Sequence, residues 1–196
     1  EMENAMELWY QMYKNKPPWL GRKKKSLNLP VLICREMARQ ILLEVKWTIS
    51  AGKDADGEYI SNPRTEFISK EFEKVMRELP HNLEHGLASG GLVVKPYIKD
   101  KQICFDWVTE WEYLPIAYSD DRQLTDVVLR DVYVNGNTYY TRLERHREQN
   151  GMIIITQKAF KSFSENYIGT EVPLSKVPQW AKLRPETVIE LSLIHI

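Results

Sequence analysis

The feature that most constrains this chain is a change of hydrophobic period at Gly90-Gly91. Upstream, Ile68, Phe72, Val75, Met76 and Leu79 recur at helical spacing, and Leu83 and Leu87 keep the phase up to the glycines. Downstream, Leu92–Ile98 and Gln102–Trp107 read as strands around the polar turn Lys99-Asp100-Lys101. A helix that must stop and turn into a strand needs a residue tolerant of positive φ, which a glycine pair supplies. The pattern therefore predicts an α+β fold, with amphipathic helices in residues 1–90 and a mostly antiparallel sheet in residues 91–196.

Two further helices precede that switch. Residues 3–14 carry Leu8, Trp9, Met12 and Tyr13 and close at Pro17-Pro18. From Val31 to Lys46, Val31, Cys34, Ala38, Ile41 and Val45 form a stripe that Met37 and Leu42 widen, with Arg35, Glu36, Arg39, Gln40 and Glu44 opposite. Pro30 fits a first helical turn, where its missing N–H costs nothing. Residues 52–63 read as loop around the Asp56-Gly57 turn, and Pro80 is expected to kink or restart the last helix.

In the β-rich half, Tyr113–Ile116 reads as a proline-fixed aromatic loop, and Asn135-Gly136 marks a hairpin between Thr125–Val134 and Thr138–His146. With that pair central, Val132 is expected opposite Tyr139 and Val128 opposite Leu143. Those four residues would face the core, and Asp131, Arg142 and Glu144 would face out. On that register Leu143→Ala should cost more than Arg142→Ala. Met152–Gln157 adds a strand, and residues 161–186 read mostly as loop with a short turn near Trp180.

Composition limits function more than it assigns it. Lys+Arg and Asp+Glu both total 27, giving zero net charge, whereas proteins that hold nucleic acid by neutralising phosphates usually carry a basic excess. Cys34 on a helix face and Cys104 in a strand read as small hydrophobes rather than a disulfide scaffold. No apolar run approaches the ~20 residues that span a bilayer, so no membrane role is expected. The chain opens inside a helical pattern and ends on the apolar run Leu191-Ser192-Leu193-Ile194-His195-Ile196, which reads as a fragment whose last five or six residues are foreign to it.

Candidate chemistry is thin. His81 and His85 stand one helical turn apart as in a zinc helix, but Asn82 occupies the place of the general-base glutamate and no third ligand is evident, so no metal is expected. Ser89-Gly90-Gly91 lacks the glycine that a nucleophile elbow places two residues before its serine. Gly52-Lys53 lacks the upstream glycine and the following Ser/Thr of a phosphate loop. Glu144 and His146 share a strand face and could mimic an acid–base pair, though an edge or interface role fits an outer face better. The basic run Arg22, Lys23, Lys24 and Lys25 is the one dense cationic segment: a solvated connector, or a nucleic-acid contact helped by Trp19. No catalytic, cofactor-binding or metal-binding residue is expected.

Several pieces occur in an order that resembles tailed-bacteriophage portal proteins, in the class of portal and minor capsid proteins of phages infecting Gram-positive bacteria. They are Trp9-Tyr10 with Pro18-Trp19, then Ser26-Leu27-Asn28-Leu29-Pro30 leading to Glu36-Met37-Ala38. Gly90-Gly91 with Lys95-Pro96-Tyr97 follows, then Tyr139-Tyr140-Thr141-Arg142-Leu143-Glu144-Arg145-His146, and Val177-Pro178-Gln179-Trp180. The resemblance covers roughly residues 8–190 and consists of structural residues, so it carries over no catalytic positions. It implies the N-terminal wing of a head–tail connector: a cyclic homo-oligomer, typically of twelve subunits, through which double-stranded DNA is packaged and ejected. The implied partners are the major capsid and scaffold proteins, the terminase and a head–tail adaptor. The implied location is the capsid vertex of the virion, and the host cytoplasm during assembly. The stem and tunnel elements that touch DNA in that family would lie beyond Ile196. Two other classes stand beside this reading: a nucleic-acid-binding module using Arg22–Lys25, and an unrecognised hydrolase using His81/His85 or Glu144/His146.

Overall fold

The structure, a computed structural model, describes residues 2–21, 26–100, 102–165 and 167–190. It has an α+β fold, with helices first and antiparallel sheets after, in two compact units that divide between Glu110 and Trp111. The switch from helix to strand falls at the glycine pair, but the first hairpin belongs with the helices.

The helical unit holds α1 (Met2–Tyr13), α2 (Leu29–Leu43), α3 (Pro63–Ser89) and the hairpin β1 (Leu92–Lys99) with β2 (Gln102–Thr109). The start of α3 follows from local chemistry. The Asn62 side chain accepts from the N–H groups of Arg64 and Thr65 at 3.0 and 2.9 Å, and Thr65 Oγ1 accepts from the Asn62 N–H at 2.9 Å. That reciprocal pair satisfies donors that a helix start leaves orphaned. α3 runs through Pro80 as one helix rather than restarting there. It ends at Gly90, which adopts φ 103° and donates to the Gly86 carbonyl at 2.8 Å.

The burial of α2 departs from its sequence pattern. Ala38 is buried with Val31, Cys34 and Leu42 half-buried beside it, while Met37 and Ile41 face solvent and Val45 lies past the helix end. The covered stripe is thus narrower than the apolar one. Arg35, expected on the outer side, reaches back to α3.

The second unit is a six-stranded antiparallel sheet of β3 (Tyr113–Tyr118), β4 (Leu124–Asn135), β5 (Thr138–Gln149), β6 (Met152–Ser162), β7 (Thr170–Val172) and β8 (Glu186–Glu190). The strands β3-β4-β5-β6 are consecutive neighbours, and β7 and β8 both pair with β6, at Ala159–Lys161 and Met152–Thr156. Tyr113–Ile116, expected as a loop, lies in β3, whose register slips between Pro115 and Ala117 and again before Tyr118.

The β4–β5 register corrects the expected one by two residues: Asn135 pairs Thr138, Val134 pairs Tyr139 and Val132 pairs Thr141. Gly136 takes φ 60° and Asn137 has no positive φ, so the turn centres on Gly136-Asn137, as a two-residue loop with glycine first demands. A slip of two leaves each side chain on the face that alternation gives it. What reverses is which face is covered. The segment after β7, a 3₁₀ turn at Leu174–Lys176 followed by tight turns to Leu183, lies over the face that carries Tyr133, Asp131, Tyr140 and Arg142. Ala159, Leu174, Val177 and Trp180 form the core there, with Tyr133, Tyr140, Val172 and Leu183 packed against it. Glu144, expected outside, is 5% exposed, whereas Val132, expected in the core, is 40% exposed. Among the described residues no helix is long and apolar enough to cross a membrane.

Candidate functional site

Two clusters of charged and aromatic side chains and two uncovered apolar surfaces are the features from which a function can be built. The first cluster lies where the three helices meet. Tyr13 at the end of α1 donates its hydroxyl to Glu84 Oε1 at 2.8 Å, and Arg35 Nε of α2 meets Glu84 Oε2 at 3.3 Å. Glu84 is buried on α3, at a position where helical period turns its carboxylate toward the other two helices. Burial alone would raise its pKa, but the hydrogen bonds from Tyr13 and Arg35 outweigh that and hold it below the usual carboxylate range. The Tyr13 phenol is pushed up to about 12, by burial first and then by the bond to a carboxylate that prefers its proton in place. Burial, then the Glu84 charge, also raise the Cys34 thiol, which keeps this free cysteine in its unreactive form.

His85 stacks edge-on against Tyr13 at 5.3 Å and against His81 at 4.6 Å between ring centroids. Burial, then the neighbouring His81 and Lys14, push its pKa down against the pull of Glu84. The two imidazoles therefore pack edge-on against each other, with His81 exposed and His85 half-buried. Among the described residues no group of three or more His, Cys, Asp or Glu is placed to hold a metal. Beside this junction is a cavity of about 480 Å³ lined by Arg35, Ala38, Arg39, Leu42, His81 and Glu84. Arg39, at the cavity wall, is held by Glu36 through two hydrogen bonds of 2.9 and 2.6 Å.

The second cluster lies on the covered sheet face. Arg142 is centred between Asp131 at 3.2 Å, Glu144 at 3.3 Å and Gln157 at 3.0 Å. Trp180 donates its indole N–H to Asp131 at 3.2 Å, and its ring lies 5.7 Å from the Arg142 guanidinium carbon. Glu144 in turn meets His146 Nε2 at 2.6 Å. The Glu144/His146 proximity foreseen in the sequence is real, but the carboxylate is shared with Arg142 under the covering segment. Sequence reasoning missed Trp180 and Asp131 as members of this network, and the signal that could have found them was a lone Trp in a turn-rich stretch needing both an apolar bed and an N–H partner.

The remaining candidates fall apart. Ser89 donates its hydroxyl to the His85 carbonyl at 3.1 Å, as a helix-end serine does. Lys53 bridges to Tyr59 across the Asp56-Gly57 turn and sits over that ring at 4.8 Å. Arg22, Lys23, Lys24 and Lys25 lie outside the described residues, as does Lys101 of the first hairpin turn.

The apolar surfaces are the larger departure from an ordinary monomer. On α2, Leu29, Leu32, Ile33, Met37 and Ile41 are 47–56% exposed. The open face of the sheet carries Leu114, Val132 and Val134, all exposed and all on the side away from Trp180. The chain matches no protein-family model, no curated protein and no solved structure.

Proposed function

We propose that this chain is the wing part of a phage portal subunit, a structural ring protein at the capsid vertex that gives DNA a passage and gives the packaging motor and adaptors a platform. The observation that carries the reading is the ordered series of sequence pieces from Trp9 to Trp180. They fall on α1, on the start of α2, at the α3–β1 switch, along β5 and in the segment that covers the sheet. The α+β order of the fold agrees with that expectation. The chemistry of the two charged clusters agrees as well: each carboxylate is held by a cation or hydroxyl within its own unit, which braces the fold and leaves reactivity low. A ring needs a head-to-tail contact that closes on itself, and a conduit must let DNA slide. Zero net charge suits both, because dense phosphate neutralisation would grip the duplex instead.

Native mass spectrometry on the product of the full open reading frame tests this reading. One closed cyclic oligomer is the expected result. A monomer at every salt and protein concentration would overturn it. A gel shift with duplex DNA on the 196-residue chain separates the rival class. Tight binding that weakens steeply with salt would mark a nucleic-acid module instead.

A further inference from the structure

Among the exposed apolar side chains of each unit, the α2 ridge and the Val132 face stand out, and the two are unlike. On α2, Leu29, Ile33, Met37 and Ile41 follow one another at intervals of four, so they form a single ridge, with Leu32 beside it. α2 carries apolar residues on two sides of its Arg35–Glu36–Arg39–Gln40 face, yet only the Ala38 stripe is enclosed. On the sheet, Val132 and Val134 lie on the face opposite the Trp180 cover, with Leu114 on the same face further along, beside Val128. Contiguous apolar patches of a few hundred Å² on a monomer are often functional.

The charges between these apolar groups differ in sign. The ridge is threaded by Glu36, already held by Arg39, and by Glu44, which is exposed and has no ion-pair partner among the described residues. The sheet patch carries Arg130, exposed between Val128 and Val132 and without an ion-pair partner among the described residues. A ridge thus meets a flat face, and a free carboxylate meets a free guanidinium. Pairing the ridge with itself across a two-fold axis would instead leave Glu44 of both copies without a cation on the ridge, since Arg39 is already held by Glu36. With zero net charge, no long-range repulsion keeps copies apart.

We infer that the α2 ridge of one copy docks on the open sheet face of a second copy, head to tail, with Glu44 facing Arg130. This deepens the ring reading by naming the surfaces in contact, and rests on it only for closure of successive contacts into a ring. Stable specific interfaces bury ~800 Å² per partner, so these two patches alone give weak association.

Sedimentation velocity of the 196-residue chain over a wide concentration range tests the contact. The wild-type chain should form a concentration-dependent, open-ended series. Met37→Glu and Val132→Glu should each raise the dissociation constant at least about tenfold, since each puts a charge in the centre of one patch. Mixed, the two variants should form a one-to-one pair and stop there, because one keeps the sheet face and the other the ridge. Glu44→Arg and Arg130→Glu should each weaken association by a smaller factor, and the chain carrying both should recover it. If Met37→Glu fails to fold by circular dichroism, Met37→Gln and the Glu44/Arg130 swap carry the test. The inference is overturned if the wild type never associates, if the variants associate like wild type, or if the mixture does not pair. Protection of Met37 and Val132 from hydroxyl-radical labelling in the isolated monomer would also overturn it. Rings from the full reading frame that survive Met37→Glu would sink this contact and spare the ring reading. An open ladder that never closes would do the reverse.

Discussion

The two units of this molecule hide opposite things. The helical unit buries a carboxylate, Glu84, among Tyr13, Arg35 and Cys34, and leaves an apolar ridge on α2 in solvent. The sheet unit lays a short apolar segment over its polar face, and its open face carries Val132 and Val134. The difference shows that hydrophobic periodicity identifies a face but does not say which face is covered. A polar face becomes interior when most of its groups satisfy one another, as Asp131, Glu144 and Gln157 do around the two terminal nitrogens of Arg142 beneath Trp180, with Arg142 Nε left unpartnered.

The comparison breaks most visibly at Trp180. It is 2% exposed, among the largest fully buried side chains, and its indole N–H satisfies Asp131. Trp180→Ala should cost ~3–5 kcal/mol in urea unfolding followed by circular dichroism. Trp19→Ala, at 63% exposed in the helical unit, should stay within about 0.5 kcal/mol of wild type. If the two costs were alike, the segment from Leu174 to Leu183 would not be the cover of the sheet.

Glu84 is the matching test in the helical unit. Glu84→Ala strands the Tyr13 hydroxyl and should cost ~1–3 kcal/mol. Its partner Arg35 is 63% exposed, so water compensates much of the loss on that side. Acid should act on the same junction in two steps. The folded pKa of His85 is depressed below 6.5, so the unfolded chain takes up its proton first and stability falls as pH drops from 6.5 through the folded value. Glu84 is also depressed, from 4.5, so its contribution is present above that pH and is lost as pH falls through the folded value. Hydrogen exchange of α3 amides across this range should show both steps, and Glu84→Gln should abolish the second. A single step that His85→Ala leaves unchanged would refute the assignment.

The sheet faces supply a smaller, ordered pair. The expected register made Leu143 the costly position and Arg142 the cheap one. In the structure Leu143 is only half-buried, while the Arg142 side chain is 14% exposed and neutralises Glu144, itself 7% exposed. Arg142→Ala should therefore cost more than Leu143→Ala, by ~1–2 kcal/mol, since removing it leaves a buried carboxylate short of its cation.

What was legible in the sequence was the punctuation. Gly90 announced the end of α3 and Asn135-Gly136 announced a hairpin, because each acts through backbone within a few residues, whereas the Asn62–Thr65 cap that starts α3 went unread and Pro63 was placed in the loop. The turn centre slipped by one position because glycine can take positive φ as the first central residue as well as the second. Neither the face of β5 nor the exposed side of α2 was legible. Both depend on segments far away in sequence: Trp180 meets Asp131, and Glu84 meets Tyr13 and Arg35. The Glu84 junction gave no signal of its own, since a glutamate between two histidines on a helix reads as solvated until the helices that meet it are known.

The smallest expected effect lies at the end of α3 and reverses the sign of the others. Glu110 Oε2 is buried without a hydrogen-bond partner among the described residues, and it presses on Gly90 so closely that a Cβ there would stand 2.9 Å from it. Gly90 closes α3, so this carboxylate faces the negative end of the helix dipole, where cations are favoured and anions are not. Burial pushes the Glu110 carboxyl above its ordinary 4.5. The folded state thus holds the proton more tightly than the unfolded chain, and stability is lost as pH rises from 4.5 through the folded value. At neutral pH the charged group is a liability. Glu110→Gln keeps the shape, removes the charge and offers an N–H to the terminal carbonyls. It should raise stability at pH 7 by ~0.3–1 kcal/mol, and the gain should shrink toward zero once the wild-type carboxyl is protonated. Thermal unfolding of both proteins at pH 7 and pH 4 decides it: a gain equal at both values would show that the charge is not the cause, and a loss at pH 7 would show that Glu110 has a cationic partner.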